Sequence, residues 1–172
     1  MHGEVMDWLR ARFRALPDNL HVFEVGSKAI NGTARHAAQP GQVRAWWGCD
    51  LAPGPGVDYV GPGEEATPPW PADVVVCCEV LEHTPLGPQI LANAARQLRP
   101  GGTLLVTMAT EPRAPHSAVD GGPLRGGEYY ANIYPATLAG WLRTAGFTDA
   151  VLLTDLARGD LWASARRPGG EG

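Results

Sequence analysis

The stretch HVFEVGSKAING, residues 21–32, decides how the chain is read: an apolar run that ends in an acid and a glycine. A strand that delivers the backbone to a bound nucleotide ends in this way, so the loop after it has to say which nucleotide. A dinucleotide fingerprint would place G-x-G-x-x-G at the start of a helix, where backbone N–H groups cradle a pyrophosphate. Gly26 and Gly32 instead stand apart, and Lys28 holds the place of the second glycine. A phosphate-gripping P-loop needs Gly-Lys-Ser/Thr, whereas Gly32 is followed directly by Thr33. The loop reads as one made for something other than a phosphate.

Working outward, VRAWWGCD, VDYVG, ADVVVCCEV and GGTLLVTMA are further strand-like runs, and the first, LHVFEV, completes a set of five. The unbroken apolar character of ADVVVCCEV marks a strand buried on both faces, as in the middle of a parallel sheet. Met6, Leu9, Phe13 and Leu16 recur at helical spacing, which predicts a helix over residues 3–16 closed by Pro17. Pro88 starts a second helix with Ile90, Leu91, Ala94, Ala95 and Leu98 on one face, and Pro135 a third that stops at Gly146. FTDAVLLT and LWASARR, a few residues apart, read as an antiparallel hairpin. Residues 111–131 carry glycine, proline and charge without periodicity, and are expected to form a lid or substrate loop. The expected architecture is a Rossmann-like α/β domain over residues 1–166. Its seven-stranded, mostly parallel sheet has helices on both faces, the hairpin adds one reversed strand at its edge, and residues 167–172 form a disordered tail.

Composition bounds the function. With 172 residues, 44% of them hydrophobic, the chain has enough apolar material for one core, and a net charge of −4 without a basic block leaves a nucleic-acid grip unsupported. No apolar run approaches the roughly 20 residues that cross a bilayer, and the N-terminus does not read as a signal peptide, so a cytoplasmic location is expected. Cys49, Cys77 and Cys78 lie in strand-like runs and form no C-x-x-C pattern; they read as buried, reduced thiols, and no metal site is expected.

In such sheets the ligand lies at the carboxyl ends of the strands. There Glu24, Asp50 and Glu79 end three of them, which suits a cationic, hydroxyl-bearing ligand. An acid on the second strand takes ribose hydroxyls in many cofactors, but one on the first would repel a pyrophosphate and attract an ammonium or sulfonium. FEVGSKAING, CDLAPGPGVD, ADVVVCCEVLEHTP, LRPGGTLLVT and LAGWLRTAGF together resemble, in order and spacing, the motifs of the class I S-adenosylmethionine-dependent methyltransferases. The NGT and GEYYANIYP stretches are similar to those of a compact subgroup found in microbial and phage genomes.

The resemblance implies S-adenosylmethionine as cofactor. Glu24, Gly26, Ser27, Asn31 and Gly32 would surround its amino-acid part, Asp50 the ribose, Leu51, Gly63 and Glu64 the adenine, and Glu79 with Val80 the methionine portion. His83, His116, Tyr129 and Tyr130 are candidates for a general base, which is needed only if the acceptor holds its proton. Blander readings stand beside these: Glu82 and His83 as helix-start hydrogen-bonding groups, Tyr129 and Tyr130 as packing anchors, Trp46 as core. The implied activity is methyl transfer to a small or medium-sized acceptor. A non-catalytic S-adenosylmethionine-binding module, a nicotinamide-dependent reductase and a nucleic-acid-modifying enzyme are the rivals. The exposed hairpin edge leaves room for a homodimer.

Overall fold

The computed structural model describes residues 3–30 and 32–170. Seven strands form one sheet: β1 (Leu20–Val25), β2 (Val43–Asp50), β3 (Tyr59–Val60), β4 (Ala72–Cys78), β5 (Leu98–Ala109), β6 (Thr148–Asp155) and β7 (Asp160–Arg166). Their order is β3-β2-β1-β4-β5-β7-β6, with β1 to β5 mutually parallel and β7 antiparallel to both neighbours. The sheet is the expected one except in one detail. The reversed strand β7 does not lie at the edge but slots between β5 and β6. Leu161, Ala163 and Ala165 explain this: they are buried, as an interior strand requires, whereas most of β6 is exposed and takes the edge.

Alternation along the strands divides the core in two. Phe23, Val25, Val75, Cys77, Leu104 and Val106 face α2 (Gly87–Gln97) and α3 (Pro135–Thr144), whose Ile90, Leu91, Ala94, Leu138 and Leu142 pack on them. Val22, Val74, Val76, Cys78 and Leu105 face the other way, against Val5, Leu9 and Phe13 of α1 (Gly3–Arg14). Both proline-started helices begin where the missing N–H costs nothing, and Gly146 follows α3 at φ +85°, a left-handed conformation that satisfies the last carbonyls of the helix. The α1 helix ends at Arg14, two residues before the expected stop.

Arg167, expected in a disordered tail, extends the pairing with β5: its N–H donates to the Gly102 carbonyl at 2.9 Å, and its carbonyl accepts from Gly101 N at 3.0 Å. Cys49, Cys77 and Cys78 are free and buried, and burial pushes the Cys49 thiol up to about 12. Among the described residues no helix is long and apolar enough to cross a membrane.

Phe23 is fully buried on the interior strand β1, its ring centroid 5.5 Å from that of Trp47. Phe23→Ala should lower the unfolding free energy by roughly 3–5 kcal/mol. Urea denaturation checks this, and a loss below 1 kcal/mol would show that the site collapses around the gap.

Candidate active site

Every parallel strand but β5 runs its carboxyl end into one cavity of about 900 Å³, a volume that suits a cofactor and a small second ligand together. Glu24, Gly26, Ser27, Gly32, Asp50, Leu51, Gly63, Glu64, Glu79, Val80, His83 and His116 all line it, so the crevice gathers most of the residues singled out in the sequence. Asn31 lies outside the described residues. Tyr129 is 44% exposed, and neither it nor Tyr130 lines the cavity. The Tyr130 ring packs behind His83 and His116, at 5.5 and 5.0 Å between centroids, and its hydroxyl donates to Asn132 Oδ1 at 2.9 Å. Burial raises that phenol to about 12, so its proton stays on at neutral pH.

Two glycines let the backbone come close. Gly26, at φ +74°, ends β1 so near to Val80 that an added Cβ would lie 2.2 Å from its Cγ2. Gly63 approaches Val25 in the same manner, with a Cβ position 2.5 Å from Cγ1. At the end of β4, Glu79 itself adopts φ +56°, a region that non-glycine residues enter at a cost of about 1–3 kcal/mol. The turn is held from β5: Glu79 N–H donates to the Thr107 carbonyl at 2.8 Å, and the Thr107 hydroxyl donates to Glu79 Oε1 at 2.8 Å.

The acids differ in how they are held. Asp50 accepts backbone N–H donors on both oxygens, from Lys28 at 3.1 Å and from Ala52 at 3.1 Å, which fixes the carboxylate and leaves further lone pairs for a ligand. Glu24 is 3% exposed. Its Oε2 accepts from the Trp46 indole N–H at 2.7 Å, and Arg35 Nε lies 3.8 Å away. Burial wins over these partners and pushes the Glu24 carboxyl up to about 7. Arg35 also donates to the Gly56 carbonyl at 2.9 Å and to Asp58 at 3.3 Å, with its guanidinium 5.8 Å from the Trp46 ring centre. Trp46 and Arg35 were not picked out as site residues. The strand register contained the signal for Trp46: it pairs with Val22, two residues from Glu24 and therefore on the same face of the sheet.

The opposite wall is made by His83, at the end of the Leu81–His83 turn, and by the loop from Arg113 to Pro123, part of the 111–131 stretch expected to form a lid or substrate loop. Arg113 ties that loop down by pairing with Asp160 and donating Nε–H to the Arg158 carbonyl at 2.8 Å. Ser117 donates to Glu128 Oε1 at 2.7 Å, and Arg125 N–H donates to Glu128 Oε2 at 2.8 Å. His83 and His116 meet edge to face at 4.9 Å, and burial lowers the His83 imidazole to about 4, so it is neutral at physiological pH. Glu82 does not cap a helix; it is buried, and its Oε1 accepts the Ala109 N–H at 3.0 Å. Burial and the nearby Glu79 raise its carboxyl.

A sheet of this order, with acids ending β1 and β2 around a glycine turn and a covering loop beyond β5, defines a class I S-adenosylmethionine-dependent methyltransferase fold. A family model described as a methyltransferase domain matches residues 2–151, and the chain belongs to that family. A ubiquinone biosynthesis O-methyltransferase of Saccharophagus degradans is 36% identical over 107 residues, covering 56% of this chain and 45% of that protein. The chain thus spans about half the length of the curated relatives it matches. In fold it is similar to a Burkholderia thailandensis 1,6-didemethyltoxoflavin-N1-methyltransferase solved with its substrate and S-adenosylhomocysteine (TM-score 0.69, 20% identity, 95% of this chain and 78% of that one). It is equally similar to the cyclase SpnF (TM-score 0.70, 17% identity, 97% and 82%), so the fold alone does not fix the reaction.

Gly26→Ala should destabilise the chain by roughly 1–3 kcal/mol, since it adds a clash with Val80 to an unfavourable φ. Gly101→Ala, at φ +76° with nothing within 4 Å of its Cβ position, isolates the backbone part alone. Equal melting temperatures for the two variants would show that the Gly26–Val80 approach carries no constraint.

Proposed function

We propose that this chain transfers the methyl group of S-adenosylmethionine to an oxygen of a small or medium-sized acceptor. The observation that carries the reading is the pair of fixed carboxylates at adjacent strand ends. Glu24, buried and short of positive charge, suits the ammonium of the cofactor's amino-acid part, and Asp50, braced by two backbone N–H donors, suits the ribose hydroxyls. Gly26, Ser27 and Gly32 would let the backbone approach that amino-acid part. Leu51, 78% exposed on the rim, would pack on the adenine with Gly63 and Glu64 beside its edge. The oxygen acceptor is supported by the named activity of the Saccharophagus relative, over the part of the chain that it matches.

The chemistry asks mainly for alignment. The sulfonium already activates the methyl group: as the O–CH3 bond forms, the S–CH3 bond breaks and sulfur keeps the electron pair as a neutral thioether. Holding the two reactants in line within a dry cavity supplies most of the acceleration. A hydroxyl acceptor must also lose its proton, and His83 and His116 on the lid side of the cavity are the side chains nearest that task. Tyr129 and Tyr130 have no part in this reading. The fold neighbour that is a cyclase keeps one second reading in view, a cofactor-binding chain whose reaction is not methyl transfer. Three free thiols in the core support a reducing, cytoplasmic setting, and Val151 and Leu153, exposed on edge strand β6, offer a second copy of the chain a place to dock.

Calorimetric titration with S-adenosylmethionine tests the cofactor reading. Asp50→Ala should weaken binding about 10- to 100-fold, the loss of one or two hydrogen bonds to a charged acceptor. In the free protein Glu24 holds a proton below about pH 7, and an ammonium beside it requires the ionised form. Binding therefore strengthens as pH rises through that value and levels off above it. Affinity at pH 6 should be about fivefold weaker than at pH 7, with proton uptake by the buffer, and Glu24→Gln should flatten the profile. Tight binding that ignores both Asp50 and pH would refute the assignment, and binding without methyl transfer to any of a panel of phenols and ortho-diphenols would favour the second reading.

A further inference from the structure

Beside the proposed reaction centre lies a group of side chains that cofactor binding does not use. Glu82, His83 and His116 each direct one donor atom toward the others, all within 4.8 Å of one another. Glu82 has no accessible surface, and its Oε2 is buried without a hydrogen-bond partner, while Oε1 is occupied by the Ala109 N–H. His83 Nδ1 is likewise buried and unpartnered. A buried carboxylate oxygen with nothing to accept from is costly, and a cation is one of the few things that would satisfy it. His116 Nδ1 lies 3.2 Å from the Ala114 carbonyl, which only accepts, so Nδ1 carries the proton and Nε2 keeps its lone pair. That backbone contact is the orienting bond that metal-ligating histidines commonly make.

We propose that Glu82, His83 and His116 form a site for a divalent transition-metal ion on the acceptor side of the cavity. The inference rests on the methyl-transfer reading for the ion's role but not for its binding. Two imidazoles and one carboxylate are a donor set for zinc, cobalt, iron or manganese rather than for magnesium, which prefers oxygen ligands throughout. Donor atoms around a tetrahedral ion with bonds of ~2.1 Å stand about 3.4 Å apart, so the present spacing contracts by an ångström or so when the ion enters. His116 belongs to the covering loop while Glu82 and His83 belong to the turn after β4, so the ion would fasten the loop to the sheet. Three protein ligands leave a position open, and an acceptor hydroxyl there would be held at the metal and made easier to ionise. The ion would then take over from the imidazoles the stabilisation of the deprotonated oxygen.

Cobalt(II) titration of the full chain, read by visible d–d absorption, tests the site directly. One ion per chain should bind, His116→Ala and Glu82→Gln should each weaken it at least about tenfold, and His36→Ala, an exposed side chain on the Ala34–Ala37 turn, should leave it unchanged. His116 lies on a loop, so its variant stays informative even if Glu82→Gln fails to fold. Cobalt binding that is unaffected by His116→Ala, or a sulfur-to-cobalt charge-transfer band reporting the cysteines, would overturn the proposal. S-adenosylhomocysteine titration of the same samples separates the two readings. Cofactor bound with no cobalt taken up refutes the metal site and leaves the methyltransferase reading intact, whereas failure to bind S-adenosylhomocysteine refutes that reading whatever cobalt does.

Discussion

A carboxylate buried near the end of β1, an interior strand of the sheet, is the constraint around which this molecule is organised. Burial makes the charge of Glu24 expensive, and the Trp46 indole and the Arg35 guanidinium offset only part of that cost. To deliver those two partners, β2 must pair with β1 in the register that puts Trp46 on the face of Glu24, and Arg35 must follow on its own short turn. The same guanidinium reaches Gly56 and Asp58, and Asp58 in turn accepts the Gly48 N–H at 2.9 Å, so the loops after β1 and β2 are cross-braced. What remains unmet at Glu24 is affinity for a cation arriving from the cavity.

The second half of the crevice depends on backbone conformation rather than charge. Gly26 turns left-handed against Val80, and Glu79, without the freedom of a glycine, turns left-handed too because Thr107 of β5 holds both its N–H and its carboxylate. Unfavourable backbone at Glu79, beside a glycine turn that needs none, is the kind of conformation that persists where a site is preformed. The covering loop is fixed differently. Its ends are tied by Arg113 to Asp160 and by Ala131 N–H to the Glu82 carbonyl at 2.8 Å, while its middle is a local network around Ser117 and Glu128.

Elements whose identity rests on local pattern were legible in the sequence. The apolar runs named all seven strands, prolines marked where α2 and α3 begin and a glycine where α3 ends, and acids at strand ends marked the crevice, whereas Leu98, expected on α2, opens β5 together with the Arg-Pro-Gly-Gly that follows it. Pairing was less legible, because a hairpin says which strands are neighbours but not which of them meets β5. Burial of Leu161, Ala163 and Ala165 decides that, and it depends on the whole sheet. Side-chain roles set by tertiary contact were the least legible. Trp46 reads as core until its indole N–H is seen on Glu24, Tyr129 and Tyr130 look available until the loop turns them outward or behind the histidines, and Glu82 looks like a helix start until its carboxylate is found against β5.

The central claim is that the strand-end acids orient a nucleoside with a cationic amino-acid arm. A crystal structure of the S-adenosylhomocysteine complex tests it most directly. The account predicts the ligand ammonium against Glu24 and Gly26, the ribose hydroxyls on Asp50, and the sulfur facing Val80 and His83. A ligand bound the other way round, or a cavity that stays empty because the Ser27–Gly32 loop fills it, would contradict the account.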